Sequence, residues 1–215
     1  NKVLQKLKTI FQNQIIKKTN SKNKIYISCV VDNHPRFRMQ AWNWLLSLKY
    51  LNTQCKIFIH HTPQSLSNKV KKAFQSLGAN LIEIKPFGHG AKAYCNKIRQ
   101  LESKELKDAD FVILSDADIV FLEDPSLLVR KRKFRAKTVD SPNPPKSIWR
   151  ELFKQKNLID KVNELELEMF DDSTFETNFN GGLYIIPGSM IQDISPLWNN
   201  YASFCLEQND LLGKY

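Results

Sequence analysis

A chain of 215 residues, 42% hydrophobic and 11% aromatic, is long enough to bury one continuous core, and its seven glycines exclude a fibrous or linker-like protein. Its 32 basic against 22 acidic residues give a net charge of +10, which suits nucleic acid, an anionic membrane surface or phosphorylated small molecules without choosing among them. No apolar run approaches the roughly 18–20 residues of a membrane helix, and the start at Asn1 shows no signal-peptide core. The expectation is a soluble region, processed or cut from a longer chain. Cys29, Cys55, Cys95 and Cys205 lie far apart without the spacing of a zinc site, and reduced thiols fit a cytoplasmic location.

Val3, Leu4, Leu7, Ile10, Phe11, Ile15 and Ile16 recur near helical spacing among lysines and glutamines, which predicts an amphipathic basic helix. With the polar break up to Lys24 it makes an N-terminal unit, residues 1–24, that docks on the domain or touches a membrane or partner. Residues 25–215 read as a single domain. Ile25 to Val31 is a β-rich run that ends in the loop Asp32-Asn33-His34-Pro35. Phe37, Ala41, Trp44, Leu45, Leu48 and Leu51 then mark a helix. Cys55 to Ile59 is a second strand, and Leu66 to Leu77 a helix closed by Gly78. Leu81 to Ile84 is a third strand, Tyr94, Ile98 and Leu101 a third helix, and Phe111 to Leu114 a fourth strand. Repeated strand-then-helix units imply right-handed crossovers and a mostly parallel sheet flanked by helices, an α/β fold.

After Leu122 the pattern loosens. Phe134 to Val139 reads as a strand, Ser141 to Pro145 as a loop, and the stretch to about Met169 as helical. Gly182 to Ile186 is a strand, and Met190, Ile194, Leu197, Trp198, Tyr201 and Cys205 mark a closing helix. Arg130-Lys131-Arg132-Lys133-Phe134-Arg135 is a dense positive run for which a solvated loop is the plain explanation; contact with an anionic ligand or a membrane is the functional one. No nucleic-acid-binding motif accompanies it, so no nucleic-acid partner is expected.

The run Phe111 to Phe121 is apolar except at Ser115-Asp116-Ala117-Asp118. In open parallel sheets ligands bind beyond the carboxyl ends of the strands. Two carboxylates there repel each other and are costly to desolvate unless a cation joins them. Oxygen ligands with open positions suit Mg²⁺ or Mn²⁺, completed by substrate phosphate. A pair of turn caps is the bland alternative. Asp116 and Asp118 are therefore the candidate metal ligands.

Leu114 to Phe121 resembles the DxD segment of GT-A-fold, nucleotide-sugar-dependent glycosyltransferases. Asn178-Phe179-Asn180-Gly181-Gly182-Leu183-Tyr184-Ile185-Ile186 is similar to the Asn-x-Gly-hydrophobic strand that follows it in many such enzymes. The resemblance covers roughly residues 25–205. It implies a Rossmann-like nucleotide-diphospho-sugar transferase with a nucleotide-sugar-binding part, 25–122, and an acceptor-binding part, 123–215. It also implies a UDP- or GDP-sugar donor, a hydroxyl acceptor of glycan type and a Mn²⁺ or Mg²⁺ ion. By the same resemblance Asp118 would ligate the cation, and Asp116 the cation or the donor ribose, with Ala117 between them. Val31, Asp32 and Asn33 would border the base, Lys97 would lie near the donor, and Asn180, Gly181 and Gly182 would approach the donor sugar. The plain readings are an exposed helical lysine for Lys97 and a turn into a strand for Asn180 to Gly182.

An inverting enzyme of this kind needs a carboxylate base at the acceptor hydroxyl. Asp171, Asp172, Glu176 and Asp210, together with Glu207, are candidates, though none is singled out by spacing and a solvated acidic loop accounts for each. Some retaining members draw a third metal ligand from a histidine near the C-terminus. All four histidines here, His34, His60, His61 and His89, precede the DxD, so the stereochemical outcome stays open. The alternatives are a basic polyanion-binding module without catalysis, a DxD phosphatase of haloacid-dehalogenase type, and a nucleotidyltransferase, whose glycine-rich basic loop is missing after the first strand.

Overall fold

A computed structural model describes residues 23–87, 90–130, 132–167 and 172–213. The expected helix over residues 3–16 therefore lies outside the described residues. In chain order the elements are β1 (Ile25–Val31), α1 (Pro35–Tyr50), β2 (Lys56–His61), α2 (Asn68–Ser76), β3 (Asn80–Glu83), a 3-10 segment (Gly90–Glu102) and β4 (Phe111–Ser115). The second half adds β5 (Arg135–Thr138), α3 (Lys146–Gln155), β6 (Glu164–Leu167), β7 (Asp172–Phe175), β8 (Phe179–Pro187), α4 (Ile191–Glu207) and the short α5 (Asn209–Leu212).

Six strands form one sheet in the order β3-β2-β1-β4-β8-β5. β1 runs parallel to β2 and β4, and β2 parallel to β3. β8 enters antiparallel to both β4 and β5. The sheet is thus mostly parallel, as the strand-then-helix repeats predict, and the second half of the chain completes it beside β4.

Strand side chains alternate between faces, and the core divides accordingly. Ile27, Cys29, Val31, Ile57, Ile59, Phe111, Ile113 and Ile185 pack with Ala41, Trp44, Leu45 and Leu48 of α1 and Phe74 of α2. Tyr26, Phe58, Val112, Leu114 and Ile186 face the other way, against Leu101, Leu106 and Ile191. Burying apolar side chains on both faces of the central strands is what their near-continuous hydrophobic runs require.

The helix signals act as expected at several ends. Pro35 opens α1, where its missing N–H costs nothing, and the His34 side chain accepts a hydrogen bond from Arg36 N. Ser67 caps α2 through Val70 N. Gly78 follows α2 with φ +94°, a left-handed conformation that glycine adopts without a Cβ clash.

Two expectations are corrected. The third helix is 3-10 rather than α, which places residues three apart on one face. Ile98 and Leu101 share a buried apolar column, and Lys97 and Gln100 a polar one. The stretch toward Met169 is not helical throughout: α3 ends at Gln155, and Glu164–Leu167 pairs antiparallel with Asp172–Phe175. Glu164-Leu165-Glu166-Leu167 alternates with period two, a strand pattern too short to stand out from the helical stretch before it.

Candidate functional site

β4 ends at Ser115 in the middle of the sheet, and the chain leaves through Asp116-Ala117-Asp118. Ser115 is fixed from the α1 side, where Trp44 Nε1 donates to its Oγ at 3.1 Å. Asp116 is held in turn by β8, its N–H donating to the Gly182 carbonyl at 2.8 Å. Asp116 is half-buried, Ala117 buried and Asp118 exposed.

From the 3-10 segment Lys97 reaches this point. Its ammonium pairs with Asp116 Oδ1 and donates to the Gly181 carbonyl. The lysine side chain is only 11% exposed against 44% for Asp116, so the pair is screened less than a surface contact. The ammonium also lies 5.7 Å from the centre of the Tyr184 ring. Burial, and then the Asp116 charge, push the Tyr184 phenol upward. Asn180 accepts the Gly182 N–H at 2.8 Å and so shapes the start of β8. A side chain at Gly182 would crowd Asn180 Oδ1 at 3.1 Å, whereas one at Gly181 would project into open space.

Lys97 is positioned by a buried polar chain. Ser28 Oγ donates to Gln100 Oε1 at 2.6 Å and lies 2.7 Å from His60 Nδ1. The single hydroxyl proton is spent on Gln100, so the imidazole must donate from Nδ1. Gln100 Nε2 then donates to the Lys97 carbonyl at 3.2 Å. Burial pushes His60 down to about 3, and its Nε2 is buried without a partner among the described residues.

At the end of β1, Val31 is buried, Asn33 exposed and Asp32 half-buried. The Asp32 carboxylate accepts from Asn96 Nδ2 at 2.7 Å, and Asn96 Oδ1 accepts from Phe87 N at 2.6 Å. Asp32 thereby ties the first loop to the segment carrying Lys97. Burial raises its pKa, and hydrogen bonds from Asn96 and Thr62 oppose the rise.

A cleft of about 630 Å³ opens beside this centre. Its walls are Phe134, Trp149, Phe179, Tyr184 and Trp198 with Val139 and Ile194, and its polar groups are Ser141, Asn143, Thr177, Asn178, Asn180 and the Gly181 backbone. Asp, Glu, Lys, Arg and His are all missing from the lining among the described residues. Trp149 Nε1 is buried and has no partner among the described residues. Asn180, Gly181 and Tyr184 belong to both the cleft and the Lys97–Asp116 centre, so β8 is their common wall. No local pattern in the sequence singles out the other cleft residues, which come from elements scattered over residues 134–198.

Among the described residues, none of the proposed carboxylate bases lines the cleft. Asp172 is exposed on β7 and accepts from Ser173 N at 2.7 Å. Glu176 is exposed and accepts from Asn163 Nδ2 at 2.9 Å. Glu207 and Asp210 are exposed near the end of the described chain. Asp171 lies outside the described residues. In the basic run, Arg132 is 3.7 Å from Asp110 and Arg135 donates to the Leu128 carbonyl, while Lys131 lies outside the described residues.

The donor set limits which metal could bind. No group of three His, Cys, Asp or Glu residues stands ready for an ion among the described residues. Two carboxylates one residue apart, one already paired with Lys97, suit a hard cation that takes the rest of its oxygens from substrate and water. They do not suit a structural metal closed by protein ligands alone.

No protein-family model and no curated protein sequence matches the chain. Solved structures do match its backbone. The galactosyltransferase LgtC, in complex with donor and acceptor sugar analogues, superposes with a TM-score of 0.54 at 16% identity over 88% of this chain. An active-site mutant of LgtC gives 0.52 at 15% identity over 82%. The chain covers 66% and 64% of those two chains, just under two thirds. The fold is therefore of GT-A type, as the resemblance implies: a central, mostly parallel sheet flanked by helices.

Proposed function

We propose that this chain is a metal-dependent glycosyltransferase that moves a sugar from a UDP- or GDP-sugar to a hydroxyl of a glycan, lipid-linked or protein-linked acceptor. The observation that carries the reading is the meeting of Lys97, Asp116 and the β8 backbone at the carboxyl end of β4, where open α/β sheets bind ligands. The adjoining cleft supports it, because transfer needs room for a second substrate within reach of the first. The similarity to a galactosyltransferase with donor and acceptor analogues bound agrees with this division.

Asp118 is the expected primary cation ligand: it is exposed, and the Lys97 ion pair goes to Asp116 instead. Mn²⁺ or Mg²⁺, when bound, would offset the negative charge of the diphosphate leaving group. The side chains have their own tasks. Lys97 adds a fixed positive charge beside the same diphosphate, in a site partly shielded from water. Asn180 holds the Gly182 N–H and thereby sets the backbone that would border the donor sugar. Val31, Asp32 and Asn33 would border the base. Aromatic faces with neutral amide and hydroxyl groups suit an uncharged sugar ring, whose C–H face stacks while its hydroxyls find partners. Among the described residues, no carboxylate that could serve as base in an inverting reaction lines the cleft.

A thermal-shift screen of nucleotide sugars with and without Mn²⁺ tests this reading. One UDP- or GDP-sugar should raise Tm in a manner lost on chelation and lost in Asp118→Asn; at a hundredfold excess over Kd the stabilisation is about 2.7 kcal/mol. The proposal fails if no nucleotide sugar shifts Tm, or if the shift survives both chelator and Asp118→Asn.

A further inference from the structure

α1 carries two apolar stripes. Ala41, Trp44, Leu45 and Leu48 are buried against the sheet. Met39, Trp42, Leu46 and Tyr50, at steps of three, four and four, run along the opposite side. These four are exposed, Met39 at 63% and Tyr50 at 87%. A single exposed apolar residue needs no explanation; a stripe along a helix does. α2 lies alongside, with Phe74 stacked 5.8 Å from Trp42.

The charges carried by α1 and α2 themselves are of one sign, while the segment beside the C-terminal half of α1, where Phe121 N donates to Ser47 Oγ and Thr53 Oγ1 donates to Asp124, adds Glu123 and Asp124. α1 contributes Arg36, Arg38 and Lys49, and α2 contributes Lys69, Lys71 and Lys72; neither helix contains Asp or Glu. Lys71 is 3.7 Å from Glu83 of β3. Residues 1–22, which lead into β1, hold six more lysines and again no acid. Like charge disfavours a second copy of this face. An apolar stripe with one Trp and one Tyr, rimmed by Lys and Arg, matches a helix lying in the interface of an anionic bilayer.

We propose that the outer face of α1 and α2 is a docking surface for an anionic lipid membrane. This goes beyond the transferase reading and does not depend on it. Met39, Trp42, Leu46 and Tyr50 enter the boundary between headgroups and acyl chains, and the surrounding cations meet lipid phosphates. The α1 and α2 side of the sheet is opposite the side that packs Phe134, Tyr184 and Trp198, so docking leaves the cleft turned away from the bilayer.

The test is sedimentation of the full chain with phosphatidylcholine vesicles, with or without about one third phosphatidylglycerol. Anionic vesicles should retain the protein about tenfold better than neutral ones, and Met39→Ser/Leu46→Ser/Tyr50→Ser should lower the partition by about tenfold at unchanged Tm. Brominated acyl chains should quench Trp fluorescence of the wild type and much less of Trp42→Phe. Equal retention by neutral and anionic vesicles would overturn the proposal. Undiminished binding of the triple variant, which keeps residues 1–22 intact, would overturn it too. So would binding to RNA or heparin with no bromolipid quenching, because that outcome marks a polyanion surface rather than a lipid one.

Discussion

The Lys97 ammonium is clamped between the Asp116 carboxylate and the Gly181 carbonyl, so one cation joins the 3-10 segment, the end of β4 and the start of β8. The same carboxylate is a proposed metal contact. On that proposal Lys97 and a divalent cation would compete for Asp116 until a diphosphate supplied further negative charge.

Lys97→Met should accordingly have opposite effects on two measurements. Mn²⁺ binding to the donor-free protein should tighten by several-fold, while the transfer rate should fall by roughly a hundredfold or more as a fixed charge beside the leaving group is lost. Lys97→Arg should recover part of the rate, since it keeps the charge but not the compact geometry. Mn²⁺ titration and initial rates with the donor found in the screen provide both readings. Unchanged metal affinity in Lys97→Met would mean that Asp116 is not a metal contact.

Much of this centre was legible in the sequence because its parts are local. The apolar run Phe111 to Phe121 announces a buried strand, and two acids at its centre announce a cost that something must offset. Asn180-Gly181-Gly182 opens a second strand with residues that permit close approach. Lys97 was balanced between a donor contact and a surface lysine, because nothing in its neighbours says that the segment is 3-10. The pitch of that segment sets Lys97 and Gln100 on one column, and only then do Ser28 and His60 become its anchors. The cleft was illegible for a related reason. Its walls are nonlocal: Trp149 of α3 and Phe179 of β8 line it together from elements separated in sequence by β6 and β7.

Two glycines separate backbone packing from ligand contact. A Cβ at Gly188 would collide with the backbone carbonyl of Ala109, which neither side can yield. Gly188→Ala should therefore destabilise strongly, by about 3 kcal/mol or more, read as a drop in the denaturation midpoint. A Cβ at Gly181 meets nothing within 4 Å. Gly181→Ala should leave Tm within a few degrees, yet raise the KM for the donor sugar if that open space is where the sugar lies.

His60 predicts an acid limb in stability. Its folded pKa is lowered from 6.5 to about 3 by burial, so between those values the unfolded chain binds a proton that the native protein refuses. Stability therefore rises with pH across this window and is lost as pH falls below 6.5, by up to about 1.4 kcal/mol per pH unit for this group. His61, buried and shifted down mainly by desolvation, acts in the same direction. His60→Gln should flatten the dependence of Tm on pH in this range even if it lowers Tm near neutrality. An unchanged slope would assign the acid limb elsewhere.

Trp149 gives the sharpest test of the cleft. Its indole N–H is buried without a partner among the described residues, while its ring stacks on Phe153 at 5.8 Å and lines the cleft. A buried donor left unpaired costs stability, so removing it while keeping an aromatic ring should be neutral or slightly stabilising. If an acceptor hydroxyl is the missing partner, Trp149→Phe should raise the acceptor KM by about tenfold, the value of one hydrogen bond of about 1.4 kcal/mol. The donor KM should stay unchanged. Steady-state kinetics that vary each substrate with the other held saturating would show the split, and an equal rise in both constants would mean that Trp149 shapes the whole domain rather than touching the acceptor.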